Sequence, residues 1–555
     1  MKSKFLILVA ALMLAALSLL ACNTSGSTTE TSDTTTAAQD TTTVTNIVGD
    51  GEAVTIIKDS ETVFKVIRPD LTSTAVQDAS IKLRSVINEH YKLSIAIETD
   101  FEGRNFNVEN RHKYEILVGA TNRDESVAAI DSLKYNDFII TMTETRVVIT
   151  GGCDEATVAA VDYFIENYIK DDALVMTVGT VSRVNGKYIR NDVKLGGVDL
   201  SDYSIIYTSD LKSSAQLAAQ KLGINTGAIM SVGPEKTAAD HIIYLNSTKF
   251  SLDLMDGLGV DDFKIVAKDG NIHIVGGSDW AAETALERFI DYVSTGAASS
   301  EISLESCALS YTLPDRSEYI NDITKLALHW ELNFDVPEWM LDFDEKYRAL
   351  NDGNGRLMSC MHRGDMVYYP ENSLEGVISS IMMGGDMIEI DPRKTKDGVL
   401  ILMHDDTLDR TTNVTELAGK NGLPASTKVS DWTYEQLLQL NLKEANGGVN
   451  AKVTPYKIPT LDEIFKVCAN RIFIRLDVKA DENGTIFWNY EKDIWTLQQK
   501  YETYYNVIFT WHNAFTSNSY KLVKNYTKTQ KELTGGKSAP FFVGYKALSD
   551  RKSVV

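Results

Sequence analysis

The alternation of apolar and polar residues changes character three times along the chain. Lys2 and Lys4 precede an apolar run from Phe5 to Ala21 that ends at Cys22. Residues 23–46 then hold 14 Ser or Thr in 24 positions and nothing to bury. From 47 to 310 short strand-like runs alternate with stretches of helical period. VFKVIRP (63–69) leads into TAVQDASIKLRSVINEHY, and YSIIYTS (203–209) into KSSAQLAAQKLG. From Leu357 onward apolar runs end in polar residues and are separated by helical segments. The strands are LMSCMH, DMIEID, VLILMH, RIFIRLDVK, NVIFTWH and APFFVGY, with helices at LEGVISSIMMGG, TLDEIFKVCAN, IFWNYEKDIWTLQQKY and SNSYKLVKNY. Strand-helix alternation of this kind predicts a parallel α/β sheet, closed into a TIM-type barrel.

The middle region repeats. Asp137-Phe138 matches Asp262-Phe263, and Gly151-Gly152 matches Gly276-Gly277, both at an offset of 125. Each unit reads strand, helix, strand, hairpin, helix, a small α+β layer with its helices on one face. The Gly-Gly pair is read as a tight turn into the helix rather than a phosphate cradle, since the GxGxxG spacing is absent. Residues 311–356 read as a connector that packs on the next domain, with Trp330 and Trp339 as packing residues.

Composition narrows the function. A formal charge of −22 over 555 residues argues against a nucleic-acid partner, which needs a basic footprint. The five cysteines show no zinc spacing, and apart from Cys22 are read as buried small apolar residues. The first 22 residues read as a secretion signal. Leu19-Leu20-Ala21-Cys22 resembles a bacterial lipobox, which implies cleavage before Cys22, a lipid on its thiol and a place on the extracellular face of the cell membrane. The Ser/Thr-rich segment would then be a disordered tether of about 25–30 Å span.

Candidate chemistry clusters in 358–412. His362 and His404 each end an apolar run, and Glu389-Ile390-Asp391 ends another. Alternation along a strand puts Glu389 and Asp391 on one face, roughly 7 Å apart. Arg475, Asp477 and Lys479 alternate in the same way. Polar residues at successive strand ends are the arrangement of a barrel active site.

These residues fall in a linked series. His362-Arg363-Gly364, Pro370-Glu371-Asn372-Ser373, Glu389-Ile390-Asp391, Lys396-Asp397-Gly398, His404-Asp405-x-x-Leu408-x-Arg410-Thr411-Thr412 and Ile458-Pro459-Thr460-Leu461 stand in order. The segment resembles the glycerophosphodiester phosphodiesterase family over about 357–550. The resemblance implies His362 and His404 as an acid/base pair and Glu389 and Asp391 as metal ligands. A third ligand is implied at Asp477, where the family usually has Glu. Carboxylates suit Ca²⁺ or Mg²⁺. Arg363 and Lys479 would bind phosphate oxygens, and Glu371 would orient Arg363 or the water around the metal. The excursion over 405–456 resembles an inserted region that covers the pocket and sets substrate choice. His512 receives no role.

The expected organisation is a lipoprotein signal over 1–22, a tether over 23–46, α+β repeats over 47–190 and 191–310, a connector over 311–356, and an incomplete barrel over 357–555. A closed barrel needs eight strands and about six are counted, so the chain reads as truncated at its C terminus. The expected function is surface-anchored, metal-dependent hydrolysis of glycerophosphodiesters or teichoic-acid-like substrates to glycerol phosphate and an alcohol. The alternative is a non-catalytic surface lipoprotein whose repeats recognise cell-wall carbohydrate.

Overall fold

Residues 65–68, 115–118 and 146–151 form the parallel centre of a seven-stranded mixed sheet. The computed structural model describes residues 44–104, 106–328, 336–351, 356–477, 491–503, 506–511, 528, 531–532, 535–536 and 542–543. Cys22, the leader reading and the tether reading up to residue 43 lie outside them, as do Trp330, Lys479 and His512; residues 44–46 of the expected tether instead belong to strand Val44–Ile47, which pairs with Val181–Val184. Among the described residues no helix is long and apolar enough to cross a membrane.

The first sheet runs 97–99, 65–68, 115–118, 146–151, 138–142, 181–184, 44–47. The second runs 231–234, 203–207, 241–245, 271–276, 263–268, 309–311. From the first strand listed to the sixth, the two sheets share the same order and the same sequence of parallel and antiparallel pairings. Helices Thr74–Tyr91 and Asp154–Tyr168 bury Leu83, Ile87, Ala160 and Phe164 on one face of the first sheet. The opposite face is covered too. Helix Asp124–Asp131, absent from the sequence reading, packs Ala129 on Ile67, Leu117 and Val148.

The repeated residues have definite jobs. Asp137 accepts from the backbone of Gly186 at 2.8 Å, and Asp262 from that of Leu313 at 2.9 Å. Each thus fastens the chain leaving its unit to the start of the unit's hairpin. The Gly-Gly pairs serve close approach, not an unusual turn, for none of the four has positive φ. A Cβ on Gly152 would lie 2.1 Å from the Lys134 carbonyl, and one on Gly277 1.9 Å from that of Gly259. Cysteine usage also differs from expectation. Cys307 and Cys468 are buried, but Cys153 is half-buried, accepting from the backbone of Ala156 at a helix start, and Cys360 is exposed.

The third sheet is parallel throughout and in chain order: 360–362, 387–390, 473–477, 507–511, 542–543. These are five strands among the described residues. The stretch VLILMH is not one of them. The turn at Lys396-Asp397-Gly398, with Gly398 at φ 85°, folds residues 400–402 back antiparallel onto 392–394. Residue parity layers the sheet. Met387 and Phe473 sit side by side at its lower end, and helix Phe343–Asn351 closes that end by packing Phe343 against Phe473, with ring centroids 5.1 Å apart and planes at 45°. Two residues further up each strand the same face carries Glu389 and Arg475, and two further still Asp391 and Asp477.

The 405–456 excursion is no loose cover. Leu408, Val414, Trp432, Leu437 and Leu442 are buried in one core with Leu374, Ile378, Leu461 and Ile464.

Candidate active site

The site grows from the upper ends of the first three parallel strands. His362 is the last residue of strand Cys360–His362, and its Nε2 lies 3.8 Å from Glu389 on the neighbouring strand. Arg363 and Asn372 both adopt left-handed backbone, at φ 59° and 55°. That shape lets the Arg363 amide donate to the Glu389 carbonyl at 2.7 Å and the Asn372 amide to the Arg363 carbonyl at 2.9 Å. The loop is thereby pinned to the strand end, and Ser373 caps the following helix by accepting from the Gly376 amide.

Glu389, Asp391 and Asp477 converge. Each offers one carboxylate oxygen within 4.8 Å of the others, and all three are buried. Asn372 donates to Asp391 at 3.0 Å, and the Arg363 Nε lies 3.5 Å from the same carboxylate. Three buried carboxylates brought together repel one another unless positive charge answers them, and a divalent cation would supply it. A hard, oxygen-binding divalent ion fits the donor set, whereas zinc would favour His or Cys.

His404 follows the hairpin. Its Nδ1 pairs with Asp405 at 2.6 Å. The second oxygen of Asp405 accepts from Arg410 Nε at 2.6 Å, which with the His404 contact holds that carboxyl down at about 2. Arg410 turns its other nitrogens to Glu371, at 2.8 and 3.0 Å, and Glu371 also accepts from Arg363 at 2.9 Å. One continuous network therefore runs from His404 through Asp405, Arg410, Glu371 and Arg363 to Asp391. Partial burial and the Arg363 guanidinium push the His362 imidazole below its ordinary range, and the charge of His404 adds to that depression.

The structure thus brings together His362, Arg363, Glu371, Glu389, Asp391, His404 and Asp477. The sequence reading assigned no part to Asn372, Asp405 or Arg410, although all three stand in its quoted motifs. Carboxylate and guanidinium flanking a histidine at +1 and +6 were the available signal.

Residues 362–532 match the model of the glycerophosphoryl diester phosphodiesterase family. These residues form a domain of that family. A glycerophosphodiester phosphodiesterase of Caldanaerobacter subterraneus is 33% identical over 120 residues, 21% of this chain and 44% of that protein. Glycerophosphodiester phosphodiesterase 1 of Homo sapiens is 35% identical over 126 residues, 22% of this chain and 34% of its own length. The chain spans less than half the length of either relative. A crystal structure of a glycerophosphoryl diester phosphodiesterase from Parabacteroides distasonis is 26% identical and covers 38% of this chain and 63% of its own, with a TM-score of 0.27.

Proposed function

We propose that the phosphodiesterase-family domain hydrolyses glycerophosphodiesters to glycerol phosphate and an alcohol. The observation that carries this reading is the buried triad Glu389, Asp391 and Asp477, whose oxygens lie within 4.8 Å of one another, with His362 beside it. Ca²⁺ or Mg²⁺ bound to these carboxylates would draw charge from the phosphoryl oxygens.

The imidazoles do the proton work. With Nδ1 of His404 tied to the Asp405 carboxylate, its Nε2 is the atom left to exchange a proton. One histidine takes the proton from the attacking hydroxyl or water, and the other gives one to the alkoxide as its bond to phosphorus breaks. Arg363, fixed by Glu371 and next to Asp391, is the cation placed to meet a phosphate oxygen. Lys479 is assigned the same task on sequence grounds alone.

Presentation at the extracellular face of a bacterial membrane through a lipid on Cys22 is part of the proposal, supported by the lipobox-like Leu19–Cys22. Incorporation of labelled palmitate, abolished by Cys22→Ser, tests the anchor.

For the chemistry, glycerophosphocholine is incubated with the full chain, then with EDTA, then with Ca²⁺ or Mg²⁺ restored. Loss and recovery of glycerol phosphate release support the reading. Turnover that EDTA leaves untouched overturns the metal requirement.

A further inference from the structure

A cavity of about 370 Å³ opens between the second repeat unit and the phosphodiesterase-family domain, within the size range of small-ligand sites. Its walls come from both. Trp280 at the start of helix Asp279–Asp291 meets Tyr368 of the phosphodiesterase domain with centroids 5.8 Å apart and planes at 79°. Two rings set at right angles make a corner whose faces carry the negative side of the ring quadrupole. Asp261, Asp279 and Glu444 line the same cavity against one cation, Lys452. We propose that this cleft binds an organic ammonium ion.

Competing ligands fit less well. An anion would meet three carboxylates, and the adjacent helix N-terminus is already answered by its Ser278 cap and by Asp279 in its first turn. A neutral sugar would need free donors as well as acceptors, yet the hydroxyls of Ser278, Thr454 and Tyr456 are already donated to Val260, Leu442 and Asp261, and a sugar would leave the net negative charge of the lining unanswered. An alkylated ammonium satisfies both features, charge for the carboxylates and a soft cationic surface for the rings.

The cleft also touches the catalytic network. Glu444 is followed by Ala445, whose carbonyl accepts from the Glu371 amide at 2.7 Å, and by Asn446, whose carbonyl accepts from Arg410. The ammonium end of a zwitterionic phosphodiester is one source of the ligand, and a free amine is the other. The first source rests on the function proposed above, whereas the binding site itself does not.

Calorimetric titration of the full chain with choline, glycerophosphocholine and the neutral choline isostere 3,3-dimethyl-1-butanol tests the proposal. Choline should bind at least about tenfold more tightly than the isostere, and Trp280→Ala should weaken it by roughly 3- to 30-fold. Trp280→Phe should keep most of the affinity and Asp279→Asn lose several-fold, which separates a lost contact from a lost fold. Glycerophosphocholine binding far more tightly than choline identifies the diester as the source, and equal affinity the free amine. No choline binding, equal binding of the isostere, or indifference to Trp280→Ala overturns the proposal. Choline binding without any diester hydrolysis would leave this site standing and remove the proposed activity. Diester hydrolysis without choline binding would do the reverse.

Discussion

Glu371 binds Arg410 through both carboxylate oxygens, at 2.8 and 3.0 Å, and is almost wholly buried while doing so. Paired contacts of this kind fix a guanidinium in direction as well as position. Arg410 in turn holds Asp405, and Asp405 holds His404. The orientation of an imidazole is thus set by a carboxylate thirty-three residues away in the chain.

Breaking that clamp should be costly. Glu371→Ala leaves Arg410 and Arg363 without their buried partner, and removing one member of such a pair typically costs about 3–5 kcal/mol. Arg410 is partly exposed, so the lower end of that range is expected. Urea unfolding with an unchanged slope and a lowered midpoint is the expected result.

Asp405→Asn should spare the fold and reduce turnover. The amide can no longer stabilise the His404 imidazolium or fix its tautomer, and supporting groups of this kind are worth about 10–100-fold. The wild-type carboxyl, held at about 2, also sets an acid limit. Its pKa lies below the unfolded value of 3.8, so its contribution to stability is complete above about 4 and is lost as pH falls toward 2. Thermal midpoints measured from pH 5 to 2 should fall more steeply for the wild type than for the Asn variant.

Ca²⁺ or Mg²⁺ should raise the unfolding midpoint. A ligand bound only by the folded state at 100 times its Kd adds about 2.7 kcal/mol. Asp477→Asn removes one of three carboxylate charges and should abolish most of that rise at the same concentration, since affinity follows the ligand charge count. Differential scanning fluorimetry reads this without any turnover.

Tyr319→Phe should destabilise the seam between helix Arg316–Asn321 and the phosphodiesterase-family domain. The Tyr319 hydroxyl donates to fully buried Glu375 at 2.6 Å, and burial, with the charge of Asp261 adding to it, pushes that carboxyl up. Removing the donor from a buried acceptor costs about 1–3 kcal/mol, measurable as a lowered urea midpoint.

Legibility in the sequence followed the range of the interaction. Strand parity already placed Glu389 with Asp391 and Asp477 with Arg475, because side-chain alternation is a local property of the backbone. The repeat was visible in Asp137 and Asp262, whose spacing is preserved. What failed turns on pairing and packing that residue type alone does not record. VLILMH has the composition of a parallel strand, and only its return onto 392–394 makes it a hairpin arm. The Gly-Gly pairs carry no trace in sequence of the carbonyls that approach them. Helix Asp124–Asp131 is short, and Ala129 and Ser126 are its only buried residues, too few for a period to show.

The most direct test of the central claim is phosphorus NMR of glycerophosphocholine with the full chain, in the presence of Mg²⁺ or Ca²⁺, beside His362→Ala and His404→Ala. The wild type should convert the diester to glycerol phosphate, and each variant should do so about 10²–10⁴-fold more slowly. Conversion by either variant at the wild-type rate would contradict that claim.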